Sequence, residues 1–181
     1  MRAANRSRRA WGWHPLVDSW ARRIVADAAI RPGQLVVDIG AGDGALTAHL
    51  AAAGARVVAV ELHPGRVARL RTRFADATGV TVVHADVAEF RWPRKPFRVV
   101  ASPPFGHGAD LLRGLLAPGS RLTAADLVLQ RAMVRRYAEG RAPGAGRWLR
   151  RYDVAMGRSL PRQAFRPPPQ VDTSVLVIRR Q

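Results

Sequence analysis

An open α/β sheet with mostly parallel strands is the fold the sequence predicts, on three observations. Short apolar runs recur at Leu35 to Ile39, Arg56 to Val60, Val80 to Val83 and Phe97 to Ala101, as expected of strands buried on both faces. The first run passes straight into Gly40-Ala41-Gly42-Asp43-Gly44 and a helical stretch from Ala45 to Ala53, which makes the strand, glycine turn and helix of a nucleotide-binding crossover. Last, Tyr152 to Leu160 and Ser174 to Arg179 read as an antiparallel hairpin that closes the sheet.

Taken in order, a helix is expected from about Val17 to Ala29, followed by strand and helix in alternation through the strand at Phe97 to Ala101. Leu111 to Leu116 then reads as helix, Leu122 to Leu129 as the fifth strand of seven, and Arg131 to Ala138 as the next helix. The segment from Glu139 to Arg147 has three glycines, a proline and two arginines, and is expected to be a mobile basic loop beside the crevice. No internal repeat or long linker interrupts the chain. One domain over residues 17–181 is expected, behind a basic N-terminal arm over 1–16.

Composition narrows the function classes. Lys and Arg number 30 against 13 Asp and Glu, a formal charge of +17, and all but one of the basic residues are arginine. A GC-rich genome favours arginine over lysine but does not explain the net excess, so a polyanionic partner is expected. Arginine's planar fork suits phosphates and stacks on exposed bases. Arg2, Arg6, Arg8 and Arg9 form a basic arm with Trp11 and Trp13 behind it, suited to gripping loop or single-stranded RNA, or else simply a frayed end whose indoles cover the core. With no cysteine there is no disulfide framework or thiolate metal site, and the five histidines show no ligand spacing, so no metal is expected. No apolar stretch is long enough to span a bilayer, and the basic N-terminus lacks the hydrophobic core of a secretory signal. A cytoplasmic monomer without membrane contact is the expectation.

The candidate site lies at the strand ends. Asp38 closes the first strand beside Gly40 and Gly42, and Glu61 closes the second about 20 residues on, where an acid can hold a ribose. That spacing alone suits NAD, FAD or S-adenosylmethionine. An acid within the strand end would suit a methionine ammonium and repel a pyrophosphate, which favours S-adenosylmethionine. Asp86 ends the third strand, placed to accept from an adenine amino group. Singly, each acid reads as a solvated loop carboxylate; at successive strand ends that converge on one crevice they read as a site. The fourth strand ends in Ser102-Pro103-Pro104-Phe105. The prolines fix their own φ angles and push Ser102 out of the helical region, so the loop is stiff. A serine hydroxyl, an outward proline carbonyl and a flat ring make a seat for a planar amine, although a Pro-Pro turn ending a strand would look the same.

These residues together resemble a known family. Asp38 to Gly44, Glu61, Asp86 and Ser102-Pro103-Pro104-Phe105 are similar to the motifs of the Erm and KsgA group of ribosomal RNA adenine N6-methyltransferases. Gln130-Arg131 resembles that group's turn after strand five, and Phe165 to Ser174 its proline-rich segment before the last strand. Within the group the chain is most similar to the compact actinobacterial-type Erm enzymes. The resemblance implies a Rossmann-like class I methyltransferase fold and transfer of methyl from S-adenosylmethionine to N6 of an adenine in 23S rRNA, which confers macrolide, lincosamide and streptogramin B resistance. It implies cofactor contacts from His14, Leu16, Asp38, Gly40, Gly42, Glu61, Asp86 and Ser102. Ser102, Pro103 and Phe105 would hold the substrate base.

Three departures stand out. Trp13-His14-Pro15 replaces the family's Gln-Asn-Phe; Ser102 and Phe105 replace its Asn and Tyr; and the family's following helical domain is expected to be missing after Gln181. Serine keeps an acceptor but reaches less far, which implies a slower enzyme or one that stops after a single methyl. Two other readings remain open: a glutamine N5-methyltransferase of the same fold, and a non-catalytic RNA-binding or ribosome assembly factor.

Overall fold

The computed structural model describes residues 13–181, so Arg2, Arg6, Arg8, Arg9 and Trp11 of the expected arm lie outside the described residues. Its seven-stranded sheet has β1 (Leu35–Ile39), β2 (Arg56–Glu61), β3 (Val80–His84), β4 (Phe97–Ala101), β5 (Leu122–Gln130), β6 (Tyr152–Leu160) and β7 (Thr173–Arg180) in the order β3-β2-β1-β4-β5-β7-β6. The first five strands are parallel. β7 enters antiparallel to both β5 and β6. The α/β class and the closing hairpin are therefore as the sequence implied, and the strand bounds agree to within about two residues.

Helices cover both faces. α1 (Asp18–Ala28) buries Ala21, Ile24, Val25 and Ala28, one helical stripe, against α2 (Ala45–Ala52) and the sheet residues Val36, Val57 and Val100. α3 (Pro64–Arg73) packs Leu70 on Ala41 and Ala59. On the opposite face α4 (Gly108–Leu115), α5 (Arg131–Ala138) and the short α6 (Ala145–Trp148) bury Leu111, Leu112, Val134 and Trp148 over Val37, Val99 and Leu127. One buried ion pair crosses the sheet. Arg98 on β4 meets Asp126 on β5 at 3.4 Å and donates to the Ala28 and Ala29 carbonyls, so it also caps the C-terminal end of α1.

Two expectations are corrected. No helix lies between β3 and β4; residues 85–96 run as turns whose Val87, Phe90 and Trp92 pack on the core, Trp92 stacked on Phe97 at 5.6 Å. That stretch carries Pro93 and Pro96, which remove helical hydrogen bonds, while its aromatic rings bury without a helix to present them. The segment expected as a mobile loop is anchored instead. Ala142 and Trp148 are buried, the Trp148 ring stacks on Tyr137 at 5.8 Å, and its Nε1 donates to the Pro143 carbonyl at 3.3 Å. None of residues 139–147 lines the hollows at the glycine turn.

Candidate active site

The glycine turn takes its shape from two strands. Gly40 and Gly42 have φ of +70° and +61°, in the left-handed region that glycine tolerates, and the N–H groups of Gly40 and Ala41 both donate to the Val60 carbonyl at 2.8 and 3.0 Å. A Cβ on Gly40 would stand 2.9 Å from Pro104 Cδ and 3.2 Å from Pro103 Cα. The bend thus touches the Ser-Pro-Pro-Phe loop directly.

Around that contact lie two hollows. The larger, about 130 Å³, is lined by His14, Leu16, Asp38, Gly40, Gly42 and Ser102, together with Trp13. The smaller, about 40 Å³, is lined by Gly40, Glu61, Asp86, Pro103 and Pro104. The structure therefore distributes the predicted acids, the glycines, Ser102 and Pro103 over two adjoining hollows that share Gly40, while Phe105 lines neither.

Asp38 is 1% exposed. Its Oδ2 accepts from the Thr47 hydroxyl at 2.7 Å, while Oδ1 is buried with no partner. Burial pushes its pKa up to about 7, with the Thr47 hydrogen bond opposing and the Glu61 charge reinforcing the rise. An orphaned carboxylate oxygen beside a cavity is suited to a cationic donor such as an ammonium.

Glu61 is also buried, and both of its oxygens have partners. Its Oε2 accepts from the Gly42 N–H at 2.9 Å, and its Oε1 from the Leu62 and His63 N–H groups at 3.0 and 2.8 Å and from Arg66 at 3.4 Å. Oε2, with one partner, keeps a lone pair for a hydroxyl. Asp86 Oδ1 accepts from the Ala88 N–H at 2.9 Å, which fixes the turn after β3.

The catalytic-loop candidates carry free acceptors. Among the described residues no hydrogen bond engages the Ser102 hydroxyl or the Pro103 carbonyl, whereas the Pro104 carbonyl accepts from the His107 N–H at 3.0 Å. Phe105 is held on one face by the His14 ring, 5.6 Å away at 22°, and packs T-shaped with Phe165 at 6.3 Å and 74°. His14 Nδ1 in turn donates to the Pro167 carbonyl at 2.9 Å. Leu16 is buried and bridges to Phe165.

Sequence reasoning missed two residues. The Trp13 indole lies over Gly42, with Nε1 2.9 Å from the point where a Cβ would stand, and the buried Arg66 guanidinium lies 3.9 Å from the Trp13 ring centroid. This pair covers the turn between the two hollows. Nothing in the spacing of Trp13 and Arg66 marks them as partners; only the fold joins the arm to α3. Pockets for small ligands run to about 300 Å³ or more, so the two hollows, at about 130 and 40 Å³ with Trp13 over the turn between them, are narrower than that.

A sequence model of ribosomal RNA adenine dimethylases matches residues 4–181. The chain belongs to the ribosomal RNA adenine dimethylase family. Within that family it is 37% identical over 186 residues to an rRNA methyltransferase of Streptomyces thermotolerans, covering 98% of this chain and 60% of the relative. It is 39% identical over 160 residues to the mycinamicin-resistance protein MyrB of Micromonospora griseorubida, covering 87% of this chain and 50% of that one. The chain therefore spans half to three fifths of these relatives' length. Among solved structures, the 23S rRNA methyltransferase ErmE superposes with a TM-score of 0.83 at 25% identity, over 92% of this chain and 69% of ErmE. Among the described residues no helix is long and apolar enough to cross a membrane, and no cluster of His, Asp and Glu could hold a metal ion.

Proposed function

We propose that the chain transfers a methyl group from S-adenosylmethionine to N6 of an unpaired adenine in 23S rRNA, the modification that gives macrolide, lincosamide and streptogramin B resistance. The observation that carries this reading is the orphaned Asp38 oxygen and the free Ser102 hydroxyl in one hollow, with Pro103 against the Gly40 bend that borders it. Asp38 would take the methionine ammonium, Glu61 a ribose hydroxyl and Asp86 the cofactor adenine, with His14 and Leu16 walling the methionine end. S-adenosylmethionine, when bound, supplies a methyl group already activated on a sulfonium. What remains for the protein is alignment, so no strong general base is needed.

The substrate amine is the harder partner, because its lone pair is delocalised into the ring. Acceptors on both N–H bonds, Ser102 Oγ and the Pro103 carbonyl, favour the pyramidal amine, and Phe105 stacks on the base. The N6 lone pair forms the new C–N bond as the donor's S–C bond breaks, and the amine proton leaves to water. Extrusion of the adenine is easiest from a loop.

Tritiated methyl transfer to naked 23S rRNA, mapped by primer extension, tests the reading. A modification-dependent stop at one adenine is expected, and nuclease digestion of the product should yield mostly monomethyladenine, given the short Ser102. Transfer to a glutamine-containing peptide instead would overturn it. One observation favours a second reading, an RNA-binding factor without activity: Trp13 covers the turn that the cofactor must approach. Absence of S-adenosylmethionine binding by calorimetry would select that one.

A further inference from the structure

The cavities differ in how their charges are met. The one along α4, α5 and α6, about 1000 Å³, is ringed by five arginines and lined by no acid. The larger hollow at the glycine turn carries both signs: Asp38 and Asp43 line it, and so does Arg73, the last residue of α3 and the only Arg or Lys among its lining residues. A glycine brings Arg73 there. At Gly44, φ is +88° and an added Cβ would stand 2.7 Å from Phe74 Cε2 and 3.1 Å from Leu70 Cδ2, so the end of α3 presses on the turn only because no side chain intervenes.

Two contacts then set the guanidinium. Arg69 takes the Asp43 carboxylate at 2.8 Å, while Arg73 donates to the Asp43 carbonyl at 2.6 Å. Among the described residues no carboxylate pairs with Arg73, so its charge stands unneutralised at the edge of the hollow. The other donors nearby are committed. The N–H groups of Gly40, Ala41, Gly42 and Gly44 go to Val60, Glu61 and Ala41, which leaves the backbone of the turn largely spent. Arg66 lines the smaller hollow and is held by Glu61 and the Trp13 ring, and His14 is held by the Pro167 carbonyl and Phe105.

An amino acid carries its ammonium and its carboxylate on one carbon. A hollow that takes the first against Asp38 must take the second as well, and beside two aspartates a bare carboxylate is repelled unless a cation meets it. The cation at hand is Arg73, whose planar fork matches a carboxylate. We propose that Arg73 is a specificity-determining residue for the methyl donor: its guanidinium receives the methionine carboxylate while Asp38 receives the ammonium, so the hollow selects donors with an intact amino-acid end. The inference rests on the donor site proposed above and deepens it.

The test compares S-adenosylmethionine with its decarboxylated form, which keeps the sulfonium and the ammonium and lacks only the carboxylate. By calorimetry at about pH 8, the wild type should bind the intact donor about tenfold more tightly than the decarboxylated one. Arg73→Gln should weaken the intact donor about tenfold and leave the decarboxylated one unchanged, which abolishes the preference. Arg73→Lys, which keeps the charge but not the fork, should lose only about threefold. Arg71→Gln, an equal charge change at an exposed position on the same helix, should alter neither affinity. Asp38→Asn should weaken both donors, because both carry the ammonium. Equal binding of the two donors by the wild type overturns the proposal, as does an Arg73→Gln variant that weakens both alike or neither. If Arg73→Gln weakens both alike while Asp38→Asn does so too, the Asp38 site stands without Arg73. If Arg73→Gln abolishes the preference but Asp38→Asn spares both donors, Arg73 stands and the ammonium site at Asp38 falls.

Discussion

The two cavity systems of this protein are built on opposite principles. At the glycine turn the walls are backbone: Gly40 and Gly42 in left-handed conformations, three N–H groups on Glu61, and prolines in van der Waals contact with the bend. Along α4 to α6 the walls are long side chains, five of them exposed or half-exposed arginines. A backbone site is rigid and specific, and almost any added atom breaks it. A side-chain groove is adaptable, because each of its arginines can be moved or replaced without disturbing the backbone beneath.

The sharpest way to break the contrast is Gly40→Ala. The new methyl would meet Pro104 Cδ at 2.9 Å on a residue whose φ is already +70°, so methyl transfer should be abolished and stability should fall by about 1–3 kcal/mol. Activity assay and thermal melt read the two effects, and a fully active variant would show that the bend and the loop do not need to touch. Next in size, Ser102→Ala and Phe105→Ala should lower kcat by about 10² to 10³ with donor affinity unchanged by calorimetry. Glu61→Gln should do the reverse, raising the donor Kd while sparing the rate at saturation.

A third experiment uses pH. With Asp38 at about 7, only its ionised form attracts an ammonium, so donor affinity should weaken as pH falls through 7 and level off above it. The sign for stability is opposite. A carboxyl whose pKa is raised by folding holds its proton in the native state, so ionising it destabilises as pH climbs from about 4 to about 7. Asp38→Asn should flatten the binding profile, weaken the donor at pH 8 and yet raise the stability there by an amount of order a few kcal/mol, read as a higher melting temperature. The smallest expected effect is at Trp13. Replacing it with alanine should tighten the donor about three- to tenfold, by removing the need to displace the indole from Gly42; an unchanged Kd would make Trp13 a cover without a gating role.

How much of this was legible in the sequence depends on range. The strands at Leu35, Arg56 and Phe97 were readable because a buried parallel strand is a continuous apolar run, and Asp38, Glu61, Asp86 and Ser102 were readable because topology sends successive strand ends to one edge. What could not be read was contact between elements distant in sequence. Arg66 sits on an ordinary amphipathic helix and Trp13 in a basic arm, and only folding puts one on the other. The ordering of residues 139–147 was hidden for a similar reason. Glycine and proline describe the backbone's freedom, but the Trp148 ring, outside the segment, decides where it rests.

β7 comes last of the seven strands in sequence yet lies between β5 and β6, and its Arg179 donates to Asp126 at 2.8 Å, completing the buried charge cluster with Arg98. On the ribosome, then, β6 has no neighbour and Asp126 lacks one of its two cations until residues 173–180 have left the exit tunnel. The nascent sheet therefore has an open seam between β5 and β6 until β7 emerges, and that strand acts as the bolt that shuts it.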